Sequence, residues 1–142
     1  MTEPIITYRG VVYPWHCDHI GHMNVMWYIG KFDEATWHFL AEVGITPTYM
    51  REEKRGMAAV RQEIKYKREL HAGDIVTVRS GLLEVTGKAM RFFHEMRNDE
   101  TGEVAAAVIS TGVHINSETR TACPLPPEIK ARGEKMIVQY EW

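Results

Sequence analysis

Between Trp15 and Tyr28 the chain reads Trp-His-Cys-Asp-His-Ile-Gly-His-Met-Asn-Val-Met-Trp-Tyr, and this stretch holds the side chains best suited to chemistry. A short apolar run ends at Asp18, passes Gly21 and His22, and meets Asn24, a residue type that caps helices. A carboxylate, an imidazole and a helix start therefore share one tight turn. The first amides of a helix lack an intrahelical acceptor and carry the positive end of its dipole. Beside a base or nucleophile, such amides suit attack on a polarised carbonyl, because they bear the oxyanion that develops.

Each residue has a chemical and a plain reading. Asp18 can act as nucleophile, through a mixed anhydride, or as general base on water; its plain role is a turn acid that accepts from nearby amides. The amide of Val25, the first residue after the cap, is the group placed to hold the carbonyl oxygen. His22 can orient Asp18, donate to the carbonyl or satisfy a buried turn carbonyl. Asn24 reads as a cap, Gly21 as a point of close backbone approach or positive φ, and Tyr28 as a packing residue. His16, Cys17, Asp18, His19 and His22 all have ligand chemistry, yet neighbours in an extended segment point to opposite sides. No Cys or His spacing of a zinc site is present, so no metal is expected.

The elements around this turn follow from periodicity. Apolar residues at Tyr28, Ile29, Phe32, Ala35, Phe39, Leu40 and Val43 form one helical stripe, and Gly44 stops it. The spacing predicts a helix of about 19 residues, roughly 28 Å long. Lys31, Asp33, Glu34, His38 and Glu42 fall mainly outside the stripe. Strands are expected over 8–14, 58–67, 75–85, 89–97 and 104–115, with turns at Thr86-Gly87-Lys88 and from Asn98 to Gly102. In 58–67, Ala58, Val60, Ile64 and Tyr66 alternate with charged residues, as a strand with one wet face would. Hairpin-linked strands give an antiparallel sheet, and only a strongly curved one wraps a helix of this length. From Ser117 the tail carries Pro124-Leu125-Pro126-Pro127, which ends the sheet and opens a short helix at Pro127. Ile137 and Tyr140 are candidates to dock the end of the chain.

With 142 residues, 44% of them hydrophobic, the chain can bury the core of one domain, read as 1–142 with a core over about 8–115 and a C-terminal extension over 117–142. A net charge of −2 without a basic block argues against nucleic acid. Neither a signal-peptide pattern nor an apolar run long enough to span a membrane is present, and two cysteines make no disulfide framework. A cytoplasmic, reduced protein is expected.

The pattern Asp18-x-x-Gly21-His22-x-Asn24-x-x-x-Tyr28, placed just before a long helix, resembles the signature of the 4-hydroxybenzoyl-CoA thioesterase-like hotdog family of acyl-CoA thioesterases. The similarity runs from about Tyr8 to about Ile115; where many members carry a second acid two residues before the motif aspartate, this chain has His16. The resemblance implies an α+β hotdog fold, a curved antiparallel five-stranded sheet around one long helix. It also implies hydrolysis of an acyl-CoA to free acid and CoA without a cofactor, CoA being part of the substrate. Asp18, His22 and Val25 take the catalytic positions, with Gly21 and Asn24 beside the substrate. Lys88, Arg91 and Arg120 fit the family's CoA-contacting regions, Lys88 and Arg120 best. Trp15, Trp27 and Trp37 are candidates for an acyl pocket, the latter two also for a subunit interface, and a cationic acyl group could rest against such rings. Active sites of the family lie between subunits, so a homodimer or homotetramer is expected. Two other readings compete: a non-catalytic acyl-CoA-binding domain, and a hydratase or dehydratase in which Asp33 or Glu34 supplies a helix-borne acid.

Overall fold

The computed structural model describes residues 2–142; Met1, the first residue of the expected 1–142 unit, lies outside them. The predicted helix is α1, Val25–Val43, and its ends are the expected ones: the Asn24 side chain accepts from Met26 N, and Gly44 closes it at φ 112°. The strands are β1 Ile5–Val11, β2 Arg55–Tyr66, β3 Ile75–Val85, β4 Ala89–Asn98 and β5 Val104–Asn116. They pair antiparallel in the order β1-β3-β4-β5-β2, so β1 and β2 are the edges. The two-residue β6, Thr121–Ala122, adds to the end of β5 and makes the sheet six-stranded where five strands were expected.

Two strand starts and one helix differ from the sequence reading by more than a residue. The first strand lies at Ile5–Val11 instead of 8–14, because Pro14 opens a 3₁₀ turn, Pro14–His16, and Val12 N donates to Asp74 O at 2.9 Å. A second helix, α2 (Pro47–Glu53), was not anticipated; Thr46 caps it, accepting from Tyr49 N at 3.1 Å, and Pro47 occupies its first position. Lys54 then leaves α2 at φ 54°, which lets β2 begin three residues earlier than the alternation suggested. The expected short helix is α3, Pro127–Lys135.

The sheet curls around α1 and packs two apolar clusters against it. Tyr28, Phe32 and Ala35 meet Val12, Val76, Val78, Met96 and Val108; further along, Phe39, Leu40 and Val43 meet Leu82, Met90, Phe92 and Ile129. Each such large side chain contributes about 1.5–3 kcal/mol on burial. Lys31, placed on the polar side by sequence, is buried: its Nζ donates to Tyr8 Oη at 3.0 Å and to Val11 O at 3.3 Å, across β1.

Where the clusters meet, a polar chain crosses the core. Thr36 Oγ1 donates to Phe32 O at 3.0 Å and faces His94 Nε2 at 2.8 Å, while His94 Nδ1 bonds Ser80 Oγ, which meets Thr7 Oγ1 at 2.7 Å. One ordering satisfies every group: His94 protonated on Nε2, with Ser80 donating to Nδ1 and Thr7 to Ser80. Complete burial holds the His94 pKa down to about 3, so the ring is neutral.

The tail docks through Tyr140, as expected, but through Val138 instead of Ile137, which is exposed. Val138 N donates to Leu82 O at 2.8 Å and the Tyr140 ring stacks on Phe93 at 3.8 Å. Gly81 makes room for this strap, since a Cβ there would collide with Val138 and lie 2.7 Å from the Phe93 ring.

Candidate active site

The turn before α1 is built by short-range constraints. Gly21 N donates to Asp18 O at 3.0 Å and Asp18 N to His22 O at 3.2 Å, closing a loop in which Gly21 takes φ 103°, a region costly for other residues. Met23 N donates to Leu70 O at 2.7 Å and Asn24 N to His16 O at 2.9 Å, which fixes the turn against the β2–β3 connection and the 3₁₀ turn.

Within it, Asn24 does two things. Its Oδ1 accepts from Met26 N at 2.9 Å, and its Nδ2 donates to Asp18 Oδ2 at 2.8 Å. Asp18 Oδ1 accepts from Ile20 N at 2.9 Å. The carboxylate is thus held by two donors, and the same amide side chain ties it to the helix start. The bond from Asn24, then that from Ile20, holds the Asp18 pKa below the usual aspartate value. Among the described residues no acceptor is recorded for Val25 N–H, which points out of the first turn of α1.

Neither ring nitrogen of His22 bonds Asp18. Its Nδ1 donates to Met23 O at 3.2 Å and its Nε2 lies 3.8 Å from Glu69. Of its three sequence readings, this geometry matches the one that satisfies a turn carbonyl. A cavity of about 210 Å³ opens beside the helix start, lined by His22, Val25, Tyr28, Tyr66, Lys67 and Glu69, with Asp18 outside its wall. Tyr28 packs edge-on against Tyr66 and donates to Arg68 O at 2.9 Å, while burial pushes its hydroxyl pKa up to about 12. His16 is buried under Trp27, ring to ring at 4.4 Å, and accepts from Tyr13 N. Burial, then the charge of Lys31, lowers its pKa.

Asp18, Gly21, His22, Asn24 and Val25 therefore come together, with Trp15 nearby but stacked outward on Tyr13 at 4.5 Å. Lys88 and Arg120 do not join them. The Lys88 carbonyl accepts from His114 N and Arg120 N donates to Asn116 O, at the far end of β5. The turn before α1 abuts the near end, where Lys67 and Arg68 bond Ala105 O, about 35 Å of strand away. Arg91 is engaged with Glu84 at 3.5 Å. Trp27 covers His16, whereas Trp37 lines a second cavity, of about 140 Å³, between the middle of α1 and β2. Among the described residues, no three His, Cys, Asp or Glu side chains converge as metal ligands, and no helix is long and apolar enough to cross a membrane.

Sequence reasoning missed the Asn24 bridge, although the signal was there: a capping amide also carries an NH₂ group that can reach a carboxylate beyond the cap. It also missed Tyr66 and Glu69, which reach the helix start from the end of β2 and carry no local motif.

A model of the thioesterase-like superfamily matches residues 12–133. The chain is 32% identical to the L-carnitine dehydrogenase/betainyl-CoA thioesterase of Ruegeria pomeroyi over 92% of its own length, and spans 26% of that longer protein. It is 27% identical to the long-chain acyl-CoA thioesterase FadM of Escherichia coli, over 87% of this chain and 92% of FadM. The fold superposes on a Staphylococcus aureus protein solved in complex with CoA at a TM-score of 0.88, with 19% identity, covering 100% of this chain and 92% of that one. With a family match over most of its length and the curled sheet around α1, the chain belongs to the thioesterase-like superfamily of hotdog-fold acyl-CoA thioesterases.

Proposed function

We propose that this protein hydrolyses an acyl-CoA, with Asp18 attacking the thioester carbonyl or activating a water that does, and Val25 N–H holding the carbonyl oxygen. The observation that carries this reading is the Asn24 side chain, which binds the Asp18 carboxylate at 2.8 Å and the first turn of α1 at 2.9 Å. It fixes the attacking group relative to the donor that receives the oxyanion. By the nucleophilic route the carboxylate displaces CoA thiolate to give a mixed anhydride, which water cleaves to acid and Asp18. By the general-base route Asp18 takes a proton from water, hydroxide adds, and the thiolate leaves. His22, held by Met23 O, shapes the turn.

The working unit is a dimer in this proposal. β2 is an open edge whose midpoint Val60 is 62% exposed, and Ile20, Val25, Met26 and Tyr66 expose apolar surface around the helix start. Two-fold pairing of β2 with its copy is antiparallel, so one copy's helix start meets the other copy's Arg55 end. That supports assigning Lys88 and Arg120 to the CoA bound at the partner's Asp18, which resolves their distance within one chain. Residues 1–142 would act as one thioesterase unit, and the free thiols of Cys17 and Cys123 agree with a reducing cytoplasm. The relatives act, by name, on betainyl-CoA and on long-chain acyl-CoA, so both acyl classes are candidates. A hydrolysis screen over short, cationic, aromatic and long acyl-CoAs, read by release of free thiol, tests the proposal. No thiol release from any of them refutes it.

A further inference from the structure

The cavity between α1 and β2 takes no part in the catalytic turn, yet it is built for a ligand. Its floor is apolar, from Leu40 and Phe92, except for Ser110. Ser110 is 3% exposed, and its Oγ is the one buried side-chain polar atom among the described residues with no hydrogen-bond partner. A desolvated hydroxyl left unmatched costs stability, so an occupant that meets it is favoured. Thr36, which shares the wall, is already engaged with Phe32 O and His94. The rim carries Asp33, which makes no ion pair among the described residues, and Trp37, which is 44% exposed. An unpaired carboxylate and an exposed indole around one opening are the two groups that attract an organic cation.

Size narrows the class further. A cavity of about 140 Å³ is close to one that holds a benzene-sized guest and is too small to enclose a long alkyl chain. An alkyl chain would also leave Ser110 Oγ unmatched and cover Asp33 with nothing in return. A trimethylammonium group fits both size and charge, its polarised methyl groups lying against the Ser110 oxygen.

We propose that this cavity is the acyl subsite and that it selects a short acyl group ending in a quaternary ammonium, with Asp33, Trp37 and Ser110 as the selecting residues. This rests on the thioesterase and dimer readings above. Eight residues of helix separate Val25 from Asp33, about 12 Å, whereas bonds of about 1.5 Å leave the methyl carbons of a trimethylammonioacetyl group roughly 4 Å from its carbonyl. The carbonyl therefore sits at the helix start of the partner copy, which the two-fold pairing of β2 brings towards this cavity.

The test compares trimethylammonioacetyl-CoA with its neutral isostere, tert-butylacetyl-CoA, each rate corrected for spontaneous hydrolysis. The wild type is expected to favour the charged substrate by about tenfold or more in kcat/KM. Asp33→Asn should bring that ratio to within about twofold of one, and Trp37→Leu should lower it about threefold. Equal use of both substrates by the wild type, or an undiminished preference in folded Asp33→Asn, overturns the subsite while leaving the thioesterase reading intact. Saturation-transfer NMR with tetramethylammonium gives a readout independent of turnover. Binding to the wild type and its loss in Asp33→Asn are expected, and no binding to the wild type refutes the proposal even if no thioester is cleaved.

Discussion

Substitutions at Asn24 test its proposed link between the cap of α1 and Asp18. Replacing it with alanine removes the acceptor of Met26 N–H and the donor to Asp18 Oδ2 together. Loss of a cap costs about 1 kcal/mol, and for a chain of this length that lowers Tm by about 3–5 °C. Freed from one of its two donors, Asp18 loses its fixed geometry, and misplacement of a reacting group costs on the order of 10-fold to 100-fold in kcat. Asn24→Ser splits the effects, because a hydroxyl accepting from the helix amides restores the cap but cannot also reach Asp18. The serine variant should therefore melt close to the wild type and still turn over slowly. The pH profile adds a signature: the Asn24 bond is the leading cause of the lowered Asp18 pKa, so the acidic limb of kcat/KM should move up towards the ordinary aspartate value of about 3.9 in both variants. Stopped-flow thiol release from pH 3 to 7 on both proteins, beside their melting curves, reads all three quantities. A serine variant with wild-type kcat and an unmoved acidic limb refutes the positioning role.

Val25→Pro deletes the amide assigned to the oxyanion at a helix position where proline is tolerated, and Asn24 already has the extended ψ of 148° that a following proline requires. Expected is a folded protein with kcat down about 10²–10³-fold, and retention of normal turnover removes the amide from the mechanism. His94, neutral and buried, titrates at about 6.5 once unfolded but at about 3 when folded, so its stabilising contribution is complete above about 6.5 and is lost as pH falls towards 3. Urea melts should show stability dropping by up to about 1.4 kcal/mol per pH unit across that window, with a shallower slope in His94→Gln; equal slopes contradict the assignment. Gly81→Ala should cost about 1–3 kcal/mol and loosen the C-terminal strap, seen as faster hydrogen exchange at Val138; unchanged protection contradicts the close packing.

The elements with strong local signals were legible in the sequence. The 3.6-residue stripe, Asn24 and Gly44 gave α1 to the residue, because periodicity and both caps agree there. β3 was also placed to the residue, and β4 and β5 to within one. The first strand was misplaced because Val11, Val12 and Tyr13 form a continuous apolar run with no local stop before Pro14, and the contact of Val12 with Asp74 decides where pairing ends. In β2 the alternation was real, but a bulge between Ala59 and Arg61 and the open edge leave Val60 outward, which a single chain's pattern does not reveal. Asp18 and its neighbours were found because they are contiguous. Ser110, Thr36 and Trp37 meet only after β5 folds back over α1, so their shared cavity had no sequence signature. Lys31 looked like a solvent-facing residue until β1 closed over it.

In the proposed mechanism the Asp18 carboxylate performs the hydrolysis. Asp18→Asn keeps the size of the side chain and an acceptor for Ile20 N while removing the charge that attacks or takes the proton. Single-turnover thiol release from the acyl-CoA that the wild type uses best, with circular dichroism to confirm the fold, measures this directly. The chemical step is expected to fall about 10²-fold or more, with substrate affinity little changed. A folded Asp18→Asn protein that cleaves the thioester at near wild-type rate contradicts that mechanism.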